Sequence, residues 1–549
     1  MNVLSESVID AKQKQLLNPI AAAAYSSYEM SSRASCFEGT RVTLIEGISG
    51  WLNDCNGRQS IYVLHGVAGI GKSTVSKSIA ESAAARGVLG ASFFFSRSEE
   101  NRNTARSLFP TLAHQLSLHN REFSRQLSTA LQVDSGATER DLQAQFSSLL
   151  AQPLRVLEEG GPILLLVDAL DECEEKDAMT VLGILGREIP QLSQLKIFIT
   201  TRPERHIRNE LAKYENHEQF CLQDIEQSVV EADIRLYLGS RLSQEEVRQA
   251  LPEFPPPPWQ PTSQQMDTLV RMSGKLFIIA ATAATFILDS KQLAPKKQLE
   301  ILLSGLSPRD SSGSRHTFLD NMYLQILRAA CPKQVGSWIG RSQIIVGTIT
   351  LLQDPLPCNA LAELLGIDAS DIVTMLSNLH SLFAPGAEDQ IFRMHHKSFP
   401  DFITDPNRRE RSCEFYIDRA AHHLRIAKRC LIVMNSNLGR HEWNNNPAQH
   451  HQQNVIPPHL EYACTYWASH LALVTESIST SPPDDEVKQL LEYFASQHTW
   501  AWIDMLGCIR GINLIHFNID GLMVCGVLCW RSIQRYSPEL RFRTTFSNA

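Results

Sequence analysis

The chain has 549 residues, 43% hydrophobic and 20% charged, with a formal net charge of -8. That length exceeds one hydrophobic core and sets roughly three or four domains; the composition is that of an ordinary globular protein, and the acidic balance argues against a general nucleic-acid binder. The twelve cysteines show no paired C-x-x-C spacing, which argues against a disulfide framework or a structural zinc site and favours reduced thiols in a cytoplasmic protein.

Residues 1–45 read as a polar lead-in with short helices. Met1 to Lys14 lacks the apolar core of a secretory signal, and Ile20 to Tyr25 is too short to cross a membrane. From Thr40 to Leu52, the positions Val42, Leu44, Ile45, Ile48 and Leu52 fall on one helical face. Asn53 to Ser60 is turn-rich and leads into a domain expected over 46–223.

That domain opens with Ile61-Tyr62-Val63-Leu64, an apolar run suited to a buried parallel strand. Next comes Gly66-Val67-Ala68-Gly69-Ile70-Gly71-Lys72-Ser73-Thr74, which fits Gly-x-x-x-x-Gly-Lys-Ser, the phosphate-binding loop. Its glycines let backbone N–H groups face inward as a nest for phosphate oxygens, and a following helix adds its positive end. Lys72 suits the β- and γ-phosphates, and the Ser73 hydroxyl suits magnesium. Val75, Ile79 and Ala83 recur at helical spacing, as the motif requires.

Gly90 to Phe95 reads as a second strand, with helices over Thr104–His119, Arg121–Leu131 and Glu139–Ala151. Ile163 to Val167 is a buried strand that ends in Asp168-Ala169-Leu170-Asp171-Glu172. Such a strand delivers carboxylates to the sheet edge where ligands bind. Asp168 suits the magnesium, and Asp171 or Glu172 suits a water-orienting or water-deprotonating role. A helix over Asp177–Glu188 precedes the strand Leu195 to Thr200, which ends in Thr201-Arg202-Pro203. Thr201 or Arg202 suits a γ-phosphate sensor; the alternative is a plain turn with Pro203 at the first helical position. Phe220-Cys221-Leu222 is the expected last strand.

A helical domain is expected over 224–335, interrupted by a proline-rich spacer at 252–261. Its helices run over Asp224–Gln249, from Gly274 to Leu288, and over Gln298–Ser304 and Phe318–Ala330. Over 336–410, helices at Ile344–Leu352, Cys358–Leu364 and Ser370–Leu382 precede strands at Phe383 and Ile391–Met394, a winged-helix pattern. The helix in the DNA-reading position, Asp371 to Asn378, is nearly uncharged, which favours packing over base reading. Residues 411–549 are expected to be helical, without recognisable repeats. Asn444 to Pro458 is a polar interruption, Tyr462–Leu473 a helix, and Ile503–Trp530 a packed helix pair rather than a membrane span.

Taken together, the loop, the acidic strand and the Thr-Thr-Arg-Pro strand resemble the NACHT group of STAND nucleoside-triphosphatases, especially its large fungal set. Val167 to Glu172 resembles the family's acidic motif and Lys196 to Pro203 its sensor strand. Gly274 to Ile287 resembles the helix after the core, Met394 to Phe402 the end of the winged-helix domain, and Tyr462 to Leu471 a helix of fungal members. The resemblance implies an α/β P-loop core with parallel sheet and helices on both faces, then helical and winged-helix domains, mostly α overall. It implies a sensor strand between the loop strand and the acidic strand, with Arg202 near the γ-phosphate. It implies that His396, rather than His395, touches bound diphosphate in a closed state.

The same resemblance implies a signalling switch of NOD-like receptor type in fungal innate immunity or non-self recognition. Its ligands would be ATP and ADP with magnesium. GTP is an alternative, although no Asn-Lys-x-Asp guanine reader is present. Slow hydrolysis would reset the closed state, and a nucleotide-dependent homo-oligomer would engage an unidentified signalling protein, with no membrane partner. The alternatives are a conventional P-loop ATPase or kinase acting on nucleic acid or protein, and a truncated binding-only scaffold. The family usually carries an effector domain before this core and sensing repeats after it; neither pattern is evident.

Overall fold

The apolar runs form a parallel sheet. In the computed structural model, strands β1 (Ile61–His65), β2 (Leu89–Phe94), β3 (Ile163–Asp168), β4 (Leu195–Thr201) and β5 (His217–Cys221) lie in the order β2-β3-β4-β1-β5. The structure describes residues 11–27, 30, 34–54, 59–97, 99–157, 161–250, 259–289, 294–304, 315–331, 336–385, 390–396, 398–438, 456–475 and 485–509. The proline-rich spacer, most of the 444–458 interruption and the tail beyond Ile509 lie outside these residues. The chain divides into two compact units, Met1–Met322 and Tyr323–Ala549.

In the first unit β3 and β4 pair in register from Ile163 opposite Leu195 to Val167 opposite Ile199. Strand β1 pairs with β4 from Ile61 opposite Ile197 to His65 opposite Thr201. The sensor strand therefore lies between the loop strand and the acidic strand, as the resemblance implies. Strand β4 is buried along its whole length and β3 from Leu164 onward, which is why β3 reads as apolar up to Asp168 and β4 as apolar from Ile197 to Ile199. Helices α1 (Val42–Asn53), α2 (Lys72–Ala85), α3 (Leu108–His119), α4 (Glu175–Glu188) and α5 (Arg205–Leu211) belong to this core. Its interior includes Phe93, Phe109, Phe123, Phe146, Leu165 and Ile197. Each such side chain contributes roughly 1.5–3 kcal/mol on full burial.

Ser92 on the outer edge of β2 is held by a side chain and neighboured by the lead-in segment. The Gln115 side-chain amide donates to Ser92 O at 2.9 Å and its oxygen accepts Ser92 N–H at 3.0 Å. The lead-in segment follows the same side: Ile20 N–H donates to Thr111 Oγ1, Tyr25 N–H to Ser92 Oγ, and Arg102 Nη1 to Ala22 O. After β5 come helices α6 (Gln227–Arg241), Gln244–Ala250, Ser263–Ser273, α7 (Phe277–Ile287) and Pro295–Ser304.

Several boundaries differ from the sequence reading. Helix α3 starts at Leu108 rather than Thr104. The helix expected from Glu139 starts at Leu142, because the Asp141 side chain caps it by accepting Ala144 N–H at 2.9 Å. Pro203 is not the first residue of α5: Glu204 is its N-cap and Arg205 its first helical residue. Leu222 falls just beyond β5, in a short 3-10 turn.

The second unit contains a helix over Gly336–Leu351, α8 (Cys358–Leu365), α9 (Ala369–Ser377) and an antiparallel hairpin of β6 (Phe383–Pro385) and β7 (Phe392–Met394). The first of these begins well before Ile344, and α9 ends at Ser377 rather than Leu382. Tyr323 packs on Phe399 at 5.3 Å between ring centroids and its hydroxyl meets Ser398 Oγ at 2.8 Å. Helices α10 (Arg419–Asn437) and α11 (Pro458–Thr475) pack on each other. Helices Asp485–Gln497 and Thr499–Ile509 follow, and Trp467 is packed between Phe494 and Trp502.

Candidate functional site

The site begins where β1 ends. Gly66 N–H donates to Thr201 O at 3.3 Å, which ties the loop to the end of β4. A Cβ on Gly66 would lie 2.9 Å from Ile70 Cγ2 and 3.1 Å from Gln223 Oε1, so only glycine fits. Gly71 has φ 109° and is the N-cap of α2, a conformation natural to glycine. The loop residues 66–74 thus deliver Lys72, Ser73 and Thr74 onto the first turn of a helix, whose unpaired N–H groups favour an anion.

Lys72 is buried and its Nζ donates to Gly66 O at 2.7 Å and Val67 O at 3.2 Å. Burial lowers its pKa, while Asp171 and then Asp168 and Glu172 oppose that shift. Asp168, at the end of β3, is 1% exposed. Its Oδ1 accepts Ser76 Oγ at 2.6 Å and Thr200 Oγ1 at 2.5 Å. Its Oδ2 is buried without a hydrogen-bond partner. An orphaned carboxylate oxygen at the C-terminal edge of a parallel sheet, beside a phosphate loop, fits a magnesium position. Ser73 and Asp168 are the residues that would hold the ion.

Ala169 adopts φ 57°, and its N–H donates to Thr200 Oγ1 at 2.9 Å. That left-handed residue swings the chain into the turn Leu170–Glu172. Asp171 accepts Arg202 N–H at 2.9 Å on Oδ1 and pairs with Arg202 Nε at 3.0 Å through Oδ2. Burial and neighbouring Glu172 raise the Asp171 pKa, with Lys72 and Arg202 opposing. Glu172 is buried and accepts Arg97 N–H at 3.1 Å, while Arg97 Nη2 donates to Asp171 O at 2.8 Å.

The core therefore brings together the loop, Asp168, Asp171, Glu172 and Arg202. His396 belongs to the second unit, following β7, with Nδ1 2.6 Å from Ser398 Oγ. Four participants escape the sequence reading. Ser76 and Thr200 orient Asp168, and Arg97 braces the acidic turn. Arg41, before α1, places Nη2 3.3 Å from Ile70 O in the loop. The spacing of Ser76, one helical turn after Lys72, was the available signal for that residue; lone arginines in turns carry none.

The fold and the site define a P-loop NTPase core. A family model described as Nephrocystin 3, N-terminal, matches residues 39–202. No curated protein matches the chain. Among solved structures, a Walker-type ATPase of Pyrococcus abyssi is 12% identical with a TM-score of 0.33, covering 67% of this chain and 98% of its own. A STAND protein with a tetratricopeptide repeat sensor from Pyrococcus horikoshii is 11% identical with a TM-score of 0.38, covering 94% of this chain and 69% of its own. Drosophila ORC bound to DNA is 12% identical with a TM-score of 0.29, covering 70% of this chain and 94% of its own. No helix among the described residues is long and apolar enough to cross a membrane.

Proposed function

We propose that the chain is a nucleotide-dependent signalling switch that binds ADP or ATP, with GTP as the alternative, and hydrolyses triphosphate slowly. The observation that carries this reading is the orphaned Oδ2 of Asp168 beside a complete phosphate loop. Bound magnesium would supply charge neutralisation between the β- and γ-phosphates. Lys72 binds those phosphates, exchanging its loop carbonyls for phosphate oxygens. Asp171 holds Arg202 at the sheet edge, where the guanidinium reads the γ-phosphate; Asp171 is thereby committed as an orienting group. Glu172, which accepts Arg97 N–H, positions the attacking water on this reading.

A switch is favoured over a working motor because the helical region contacts the loop itself: Ile278 N–H, in α7, donates to Gly69 O at 3.1 Å. Nucleotide identity and the seating of those helices then belong to one equilibrium. On this reading the divisions at 46–223, 224–335, 336–410 and 411–549 act as core, helical, winged-helix and C-terminal helical parts. His396 holds the diphosphate state, and triphosphate permits homo-oligomerisation toward a signalling protein. The setting is cytoplasmic, in fungal innate immunity or non-self recognition of NOD-like receptor type.

The test is the nucleotide that co-purifies with the full chain, released by denaturation and separated by ion exchange. Near-stoichiometric ADP is expected. An empty site with rapid ATP turnover overturns the switch, and a site that binds no nucleotide overturns the whole reading.

A further inference from the structure

Arg41 stands where three parts of the first unit meet. Its backbone is left-handed, φ 57° and ψ 22°, a conformation that a residue with a side chain keeps only where its surroundings fix it. Those surroundings are specific. Its N–H donates to Asp233 Oδ2 of α6 at 3.1 Å. Its guanidinium carbon lies 5.2 Å from the ring centroid of Phe277, the first residue of α7. Its Nη2 donates to Ile70 O. The residue is 5% exposed, and Nη1 is buried without an acceptor. An apolar side chain would fill this space without the desolvation penalty of a buried guanidinium, so packing alone does not account for arginine here.

The geometry of the peptide unit supplies the account. Within a planar trans peptide, the C=O of one residue points opposite to the N–H of the next. Two consecutive loop carbonyls are held from outside: Gly69 O by Ile278 N–H of α7, and Ile70 O by Arg41. Holding them turns the N–H groups of Ile70 and Gly71 the other way, and such N–H groups line a phosphate nest.

We propose that Arg41 is a positioning residue that couples the anion-binding shape of the phosphate loop to the seating of α6 and α7. This rests on the nucleotide reading above. A ligand that requires the Ile70–Gly71 peptide in this orientation strengthens the seat of α7, and the seated helix strengthens ligand binding by the same factor.

The experiment is hydrogen exchange on the full chain with and without ADP and magnesium, together with titration of a fluorescent ADP analogue. In the wild type, ADP should slow exchange at both 66–74 and 277–287. Arg41→Ala should bind about tenfold more weakly, the loss of one hydrogen bond from a charged donor. At saturating ADP it should keep protection at 66–74 and lose the ADP-dependent change at 277–287. An equal response at 277–287 in Arg41→Ala overturns the coupling. A wild type that responds at 66–74 alone also overturns the coupling and leaves the nucleotide reading standing; a wild type silent at both overturns the two together. If Arg41→Ala does not fold, Ile278→Pro carries the test. It removes the donor to Gly69 O in the first turn of α7, where proline is tolerated, and should uncouple 277–287 in the same way.

Discussion

Acidification should unfold the second unit through a buried histidine chain. His470, on α11, is fully buried; its Nε2 meets Tyr462 Oη at 2.8 Å and its Nδ1 meets His423 Nδ1, on α10, at 2.8 Å. The Tyr462 hydroxyl oxygen also accepts Gln353 N–H at 3.0 Å. In the His470–His423 contact the two facing Nδ1 atoms share a single proton. Protonating the ring that accepts in that contact would put two hydrogens between the facing nitrogens. Beside them, His422 Nε2 meets Thr348 Oγ1 at 3.1 Å. Burial, with the nearby Arg425 and His423, lowers His422 from 6.5 to about 3. Burial, with Arg419, lowers His423 from 6.5 to about 4. His470 is pushed down well below 6.5, by burial first and then by His423 and His422.

The sign follows from proton uptake. Between about pH 4 and 6.5 the unfolded chain binds protons at these rings and the folded chain does not, so stability is complete above 6.5 and falls as pH drops. Going from pH 7 to pH 5 removes about 2 kcal/mol for each of His422 and His423, about 4 kcal/mol together, and His470 adds in the same direction. Against a typical total of roughly 5–15 kcal/mol, that is a large loss. Urea unfolding at both pH values, followed by the fluorescence of buried Trp467 and Trp502, measures it. His422→Gln should shrink the pH 7-to-5 difference by about 2 kcal/mol. Unchanged stability between pH 7 and 5, or an unaltered difference in His422→Gln, would refute the neutral chain.

Three further outcomes are expected. Lys72→Ala should weaken nucleotide binding by about a hundredfold, since it removes the charged donor at the β/γ position; unchanged affinity in a titration sinks the loop assignment. Glu172→Gln should keep nucleotide affinity and slow single-turnover hydrolysis by about a hundredfold or more. Wild-type turnover in that variant moves the water-positioning role to another group. Gly186→Ala should destabilise the first unit by about 1–3 kcal/mol despite the better helix former, because the added Cβ would lie 2.5 Å from Tyr214 Cγ. A thermal melt at or above the wild-type midpoint would contradict it.

The legible parts of this chain are those where one physical demand acts on consecutive residues. Buried parallel strands are mostly apolar, so the runs Ile61–Leu64, Ile163–Val167 and Ile197–Ile199 are visible in the letters, and a phosphate nest needs its glycines at fixed spacing. The sheet order came with the family resemblance, because adjacency of β1 and β4 leaves no local trace. The illegible parts depend on single contacts across long sequence separations. Arg41 reaches Ile70 over 29 residues, and Thr200 reaches Asp168 over 32. The lead-in segment docks through backbone groups at Ile20, Ala22 and Tyr25 and through the scattered side chains of Gln13, Leu17 and Ala23, a spacing with no local period to reveal it. Asp141 caps the helix that begins at Leu142, whereas the sequence reading starts that helix at Glu139.

The engagement of Ser92 on β2 bears on how the chain is made. A strand leaving the ribosome offers both of its edges for pairing. For β2, the sheet partner β3 begins only at Ile163, whereas Gln115, which holds the Ser92 backbone, follows it by 23 residues. Synthesis proceeds at roughly 5–20 residues per second, so Ser92 meets Gln115 seconds before the inner edge can meet β3. During that interval a nascent neighbour on the same message would meet a strand whose Ser92 is already engaged by its own chain.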